Sequence, residues 1–308
     1  MKIKTLVVGL GKIGMGYDFN ITNKDILSHC SSVINNKKFK LVGGVDIDKN
    51  KKTPFEHTYG NLFFDDLKYA LLKTKPTFVI ISSSTNSHLE IIRKILHLNY
   101  KNHVRVKFIL IEKPMGVNLF HAQKIVNFCK KGKIKLLVNY SRNYNKNFIN
   151  IKNKNNNYTY GKIIYSGGMI NNGSHFLCLF ILLFGKILKI EKSNIKIIND
   201  YDYRFTGLIY FEKALLIFKN NIYTTKKHSF VLSNNNNYIK YDNKKNIIIN
   251  KSFVSKKLKV KKKTHIKNPQ KIVLDQIYRF ITKQNCNICT DNFALKVYKD
   301  LEKIKNII

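Results

Sequence analysis

Nothing in the 308-residue chain approaches the ~20 consecutive apolar residues that cross a bilayer. Its first residues, Met1-Lys2-Ile3-Lys4-Thr5, lead straight into a predicted strand and not into the apolar core of a signal peptide. These two absences set the expectation of a soluble, cytoplasmic protein with no membrane partner. Cysteine is sparse. Cys30, Cys129, Cys178, Cys286 and Cys289 are odd in number and widely scattered, which fits reduced thiols rather than a disulfide framework. Cys286-Asn287-Ile288-Cys289 is a CxxC with no second pair, so no metal site is expected.

Acidic residues are scarce too, with 18 Asp and Glu against 56 Lys and Arg and a net charge of +38. Such an excess invites a nucleic-acid partner, because clustered cations neutralise phosphates and release counterions. Arginine, the residue suited to bidentate contacts with bases and phosphates, supplies only 5 of those charges. The lysines are spread along the chain and accompany 38 Asn, a composition that an AT-rich coding sequence would give. We therefore expect solvated faces and no nucleic-acid partner.

What the chain does have is a hydrophobic content of 44%, enough for a sizeable core and two domains of ordinary size. Thr5 to Val8 reads as a short buried strand and runs into Gly9-Leu10-Gly11-Lys12-Ile13-Gly14. A GxGxxG in that context is a dinucleotide signature. Its first glycine permits the turn, its second lets the backbone amides around Lys12 and Ile13 approach a pyrophosphate, and its third allows close helix packing. The first helix is expected late or interrupted, because the apolar pattern Ile26, Leu27, Cys30, Val33, Ile34 begins well beyond Gly14. A second strand, Phe39 to Val45, ends in Asp46, whose carboxylate suits the ribose hydroxyls of NAD. Lys49 and Lys51 keep NADP open.

Strands at Thr77 to Ile81, Phe108 to Ile111 and Ile134 to Val138 alternate with helical stretches, and Leu89, Ile92, Ile95 and Leu96 follow the 3.6 period. The expected fold is α/β: a doubly wound parallel Rossmann sheet over residues 1–140, then an α+β domain over 141–308 with a largely antiparallel open sheet. Within the latter, Ser141 to Tyr158 reads as a helix with exposed faces or a loop, and Gly161 to Tyr165 as a strand. The apolar run Phe176 to Phe184 reads as a helix stopped by Gly185. Short β-rich runs follow up to Val260, Lys256 to Lys263 reads as a solvated edge or loop, and two helices close the chain.

Five features in order resemble the glucose-fructose oxidoreductase / inositol dehydrogenase family: the glycine motif, Asp46, the polar turn Ser82 to His88, Glu112-Lys113-Pro114, and Asn172-Gly173-Ser174-His175. The resemblance implies an NAD(P)-dependent oxidoreductase acting on a hydroxyl or keto group of a sugar, sugar nucleotide or cyclitol, with surface polysaccharide synthesis as the nearest context. It implies Ser83, Asn86, His88, Glu112 and Lys113 as cofactor contacts beside Gly9, Gly11, Lys12, Ile13, Gly14 and Asp46. It also implies Lys113 and His175 as the catalytic pair on the substrate side of the nicotinamide, Asn171 where many relatives carry Asp, and Arg142 for an anionic substrate group. A homo-oligomer, dimer or tetramer, is the implied assembly. Two other readings stay open: an NAD-dependent glycosidase of the same family, and a non-catalytic nucleotide-binding or scaffold protein.

Overall fold

In the computed structural model the described residues are 2–19, 25–60, 62–151, 158–222, 228–235, 237–254 and 257–307. They divide into two units, Met1–Tyr144 with Asn268–Leu295, and Asn145–Lys267 with Lys296–Ile308.

The first unit is built on six parallel strands: β1 (Ile3–Val8), β2 (Phe39–Val45), β3 (Phe63–Phe64), β4 (Phe78–Ile81), β5 (Phe108–Ile111) and β6 (Lys135–Val138). Their order, β3-β2-β1-β4-β5-β6, reverses direction between β1 and β4, the switch point where such sheets open a crevice at their carboxyl ends. β4 is buried throughout and β5 is buried from Ile109 on, as strands covered on both faces must be. The helices α1 (His29–Ile34), α2 (Lys52–Tyr59), α3 (Leu67–Thr74), α4 (His88–Tyr100) and α5 (Leu119–Lys131) lie between the strands. Side chains fix several helix starts: Asp66 accepts from Tyr69 N–H at 2.6 Å and Asn118 from His121 N–H at 2.9 Å.

The first helix is interrupted, as its sequence suggests. After one turn at the glycine motif, the Asp18 carboxylate accepts from the amides of Leu27 and Ser28 at 2.9 Å each. The amides of His29 and Cys30 then return to the carbonyls of Ile13 and Gly14, so α1 seats on the turn it would otherwise have continued. Residues 268–295 bring α8 (Pro269–Ile281) to this unit, where Tyr278 meets Phe39 and Phe280 meets Phe108 edge-on.

The second unit carries an eight-stranded sheet among the described residues: β7 (Tyr160–Tyr165), β8 (Ile187–Asn199), β9 (Asp202–Phe211), β10 (Leu215–Asn220), β11 (Ser229–Ser233), β12 (Asn237–Asp242), β13 (Ile247–Val254) and β14 (Lys257–His265). Its order is β14-β13-β12-β11-β7-β10-β9-β8, antiparallel except where β7 meets β10. α7 (Ser174–Phe184) lies on one face, and its Phe176 and Phe180 pack edge-on against Phe230 of β11. Phe180 also meets Phe218 of β10. Burying a phenylalanine contributes about 1.5–3 kcal/mol, so this ring cluster is the main apolar anchor of the sheet. α6 (Lys146–Ile149) adds Phe148 against Phe230 and Tyr241. The opposite face shows the alternate residues: Ile217 is 42% exposed while its neighbours Leu216 and Phe218 are fully buried.

The lysine run that reads as an edge or loop is the edge strand β14, with Lys259, Lys261, Lys262 and Lys263 all exposed. Of the expected helix or loop at 141–158, residues 152–157 lie outside the described residues. Among the described residues no helix is long and apolar enough to cross a membrane. The last helix, α9, spans Asp291–Lys305.

Candidate functional site

Each of the three glycines meets a different environment. Gly9 has φ +92°, and a side chain there would overlap the backbone of Ser82 and Ser83, so the loops after β1 and β4 lie against each other at the switch point. A Cβ on Gly14 would overlap the Gly9 carbonyl. A Cβ on Gly11 would meet nothing within 4 Å. Two glycines are thus required by the fold and the third faces open space. The amides of Met15 and Gly16 both return to Gly11 O at 3.0 Å. Gly11, Lys12 and Ile13 come before this first closed turn, where N–H groups have no acceptor of their own within the turn.

Asp46 stands at the end of β2 with its carboxylate held on two amides, Leu10 at 2.7 Å and Asp48 at 3.0 Å. It therefore sits beside the glycine loop and also braces it. After β4, Ser82 Oγ donates to Gly9 O at 2.8 Å, and Ser83 and Ser87 join through their hydroxyls at 2.7 Å. Asn86 is exposed on the short helical turn Thr85–Ser87. His88, expected among the cofactor contacts, is instead fully buried. Its Nδ1 and Nε2 each lie 3.2 Å from a carbonyl oxygen, of Met115 and Ser83 respectively. Burial holds its pKa below the ordinary histidine value against the pull of those carbonyls. A ring enclosed in this way holds the turn in place and does not reach a ligand.

Where β5 ends, Glu112 points inward and Lys113 follows, half-buried, joined to the buried Pro114 by a cis peptide bond. The Glu112 carboxylate is 12% exposed and its partner His29 1%, with 2.8 Å between Oε1 and Nε2. Asn139 Nδ2 donates to the same carboxylate and to Gln270 Oε1. Burial alone would push the Glu112 carboxyl up, but the hydrogen bond and charge of His29, with Asn139 and the Lys113 ammonium, hold it below the usual carboxylate value. This network was not foreseen. The sequence signal was weak: His29 lies four residues before the apolar Val33, on the buried stripe of α1, where a polar side chain needs a partner.

Because the folded carboxyl titrates below its unfolded value, the pair contributes stability above the ordinary carboxylate range, and that stability is lost as pH falls through the folded value. Removing His29 leaves the buried carboxylate with a broken pair, and His29→Leu should cost ~3–5 kcal/mol at neutral pH by urea denaturation. Glu112→Gln should be milder, and its stability should converge on that of the wild type below pH ~4. A loss under ~1 kcal/mol for His29→Leu, or no convergence, would mean that the pair is not holding the strand end.

In the second unit, His175 lies half-buried in the first turn of α7. Asn171 is exposed on the π-turn Met169–Gly173 that leads into it. Asp202, which the sequence did not single out, fixes this turn. Its buried carboxylate accepts from the amides of Ile170 at 2.8 Å and Tyr203 at 2.8 Å and from Asn171 Nδ2 at 2.8 Å. A side chain on Gly168 would overlap that carboxylate. Arg142 lies in the first unit, half-buried on the helical turn Ser141–Tyr144. Among the described residues, no three of His, Cys, Asp and Glu gather as metal ligands would.

A 3-2-1-4-5-6 parallel sheet, with a glycine turn facing open space at the switch point and a strand-end carboxylate beside it, defines a Rossmann dinucleotide-binding protein. Residues 3–140 match the Gfo/Idh/MocA oxidoreductase family, NAD-binding Rossmann fold, and over this domain the chain is similar to that family. It is 29% identical over 158 residues to the myo-inositol 2-dehydrogenase of Thermotoga maritima, a stretch covering 51% of this chain and 41% of that protein. The matched stretch thus spans less than half of that relative. The whole fold resembles a dehydrogenase from Clostridium difficile, with a TM-score of 0.78 at 18% identity over 100% of both chains. It also resembles the UDP-N-acetylglucosamine 3-dehydrogenase of Acidithiobacillus ferrooxidans, with a TM-score of 0.77 at 12% identity over 99% of this chain and 97% of that one.

Proposed function

We propose that this chain is an NAD-dependent dehydrogenase or reductase that moves a hydride between the nicotinamide and a hydroxyl-bearing carbon of a sugar, sugar nucleotide or cyclitol. The observation that carries the reading is the open space at Gly11 between two glycines that the fold itself requires. The amides of Gly11, Lys12 and Ile13 would take the pyrophosphate, and Asp46 the adenosine ribose. Bound NAD supplies the hydride acceptor. Oxidising a carbinol also requires the hydroxyl proton to leave as the carbonyl forms, so a base must be within hydrogen-bond reach.

We assign that proton to His175, since an imidazole exchanges protons near neutrality. Lys113 is assigned to stabilise the developing alkoxide charge with its ammonium group. Asn171, held by Asp202, cannot take a proton and is assigned to orient a sugar hydroxyl; Arg142 is kept for an anionic substituent. The assembly we propose is a homo-oligomer, because exposed apolar residues on the second unit, among them Leu188, Ile197, Ile217 and Ile222, would be covered by another copy.

Calorimetry with NAD, NADH and NADPH, followed by nicotinamide absorbance with a panel of cyclitols and nucleotide sugars, tests the reading. Saturable NAD binding with turnover of at least one substrate is expected; a folded chain that binds no dinucleotide would overturn it. Asp46→Ala should weaken NAD by ~10-fold or more and NADPH less, because only NAD presents the free 2′-hydroxyl to the carboxylate. Equal losses would mean that Asp46 acts only by bracing Leu10.

A further inference from the structure

Four elements of the first unit meet at Glu112, at the end of β5. Its Oε1 accepts from His29 Nε2 of α1 at 2.8 Å and from Asn139 Nδ2, just after β6; the same Asn139 nitrogen donates to Gln270 Oε1 of α8 at 3.0 Å. The backbone is fixed as firmly. The amide of Glu112 donates to Ile81 O and that of Asn139 to Ile111 O, both at 2.8 Å, so the parallel ladder runs on past the ends of β4, β5 and β6.

An enclosed carboxylate needs a counter-charge as well as donors. Asn139 and Gln270 are neutral, and an imidazole has given up its second proton well below the range in which an amine titrates. His29 Nδ1 is buried with no hydrogen-bond partner among the described residues, so nothing at that nitrogen holds a second proton. His88 of α4 also faces the carboxylate, and burial favours its neutral ring. The charge of Glu112 therefore falls to Lys113, next in the chain and half-buried, whose ammonium helps to keep the carboxyl ionised.

We propose, building on the hydride transfer proposed above, that Glu112 is a positioning residue for Lys113: fixed by His29, Asn139 and Gln270, its carboxylate keeps Lys113 as an ammonium, so that Lys113 serves as a fixed cation and not as the proton acceptor. Attraction between opposite charges is mutual, so a carboxylate that Lys113 helps to ionise holds the proton on Lys113 in return. A lysine kept charged cannot take the hydroxyl proton, and that step is left to His175. His29 also ties this arrangement to the glycine turn, since its amide donates to Ile13 O at 2.9 Å.

Competitive labelling with trace acetic anhydride, mapped by peptide mass spectrometry, reads the half-reaction pH of each amine in the full chain without cofactor or substrate. Glu112→Gln keeps the shape and the Oε1 acceptor and removes the charge. In that variant the half-reaction pH of Lys113 should fall by at least ~0.5, making the amine about 3-fold more reactive at pH 8, while the exposed Lys244 stays unchanged. Mere loosening of the strand end would raise the limiting rate at high pH and leave the midpoint in place. Should Glu112→Gln fail to fold, the reciprocal effect decides: in Lys113→Met the Glu112 carboxyl, followed by carbon NMR, should titrate at higher pH than in the wild type. An unmoved midpoint for Lys113, or an unmoved carboxyl in Lys113→Met, would sink the proposal. Where turnover is found, the alkaline limb of kcat should move down with the labelling midpoint in Glu112→Gln, and a limb that stays put would remove Lys113 as the cation. A labelling shift in a chain that turns over no substrate would uphold the pairing and count against the dehydrogenase reading alone.

Discussion

Gly11→Val should abolish NAD binding, lowering affinity by at least ~100-fold, while leaving the protein as stable as the wild type to within ~1 kcal/mol. The asymmetry follows from what surrounds each glycine. A side chain at Gly9 or Gly14 overlaps backbone atoms and would disturb the loop before any ligand arrives, whereas one at Gly11 enters space that no protein atom occupies. Surface substitutions of that kind usually change stability by about 0.5 kcal/mol or less. The valine would instead stand where the pyrophosphate has to approach the amides. Calorimetry and thermal melting on the same preparation decide it. Wild-type affinity in a folded Gly11→Val would remove the glycine turn from cofactor binding. Gly14→Ala makes the useful contrast, since it should lose stability even without ligand.

The second large effect is expected on turnover. If the proposed chemistry holds, Lys113→Met and His175→Ala should each lower kcat by ~100-fold or more with any substrate the chain turns over, while NAD still binds. Methionine keeps the length and apolar stem of Lys113 and removes only its ammonium, so the change reads out charge. Under the proposed assignment the neutral amide of Asn171 cannot share that proton, which leaves it to His175. An activity limb in the pH profile that disappears in His175→Ala, measured on its residual rate, would separate proton transfer from simple damage to the site. Near wild-type turnover in either variant would end that residue's assigned role, and retention in both would favour a nucleotide-binding protein without chemistry.

Much of the first unit can be read from the sequence because its elements have strong local causes. β2 begins and ends where the residues between Phe39 and Val45 suggest, and β5 is bounded by the apolar run before Glu112. α7 is legible because its apolar run is stopped by Gly185 at φ +88°. Legibility fails where composition masks the period. β12 begins at Asn237, within an asparagine run that carries no alternation, and β14, whose lysines read as a solvated edge or loop, alternates too little to suggest its full length as a strand. β8 extends over Ile187–Asn199, far beyond the short apolar patch at Ile195 to Ile198, because a mostly exposed strand need not alternate.

At the site, the residues that were missed are those whose role depends on a distant partner. His29 and Glu112 lie 83 positions apart, and Asp202 reaches Asn171 across 31. No local spacing encodes either pair. His88 illustrates the converse: a sequence position that suggests a ligand contact, in a side chain that the packing of α4 turns inward.

The lysines of β14 have a consequence for handling the protein. An edge strand offers a ladder of unpaired amides and carbonyls on which another chain can add a strand. Here that ladder is protected by charge and not by bulk, and charge can be screened: its reach falls from ~10 Å in 0.1 M salt to ~3 Å in 1 M. The concentrated salt that would strip adventitious nucleic acid from a chain of net charge +38 is therefore also the condition in which its sheets are freest to join edge to edge.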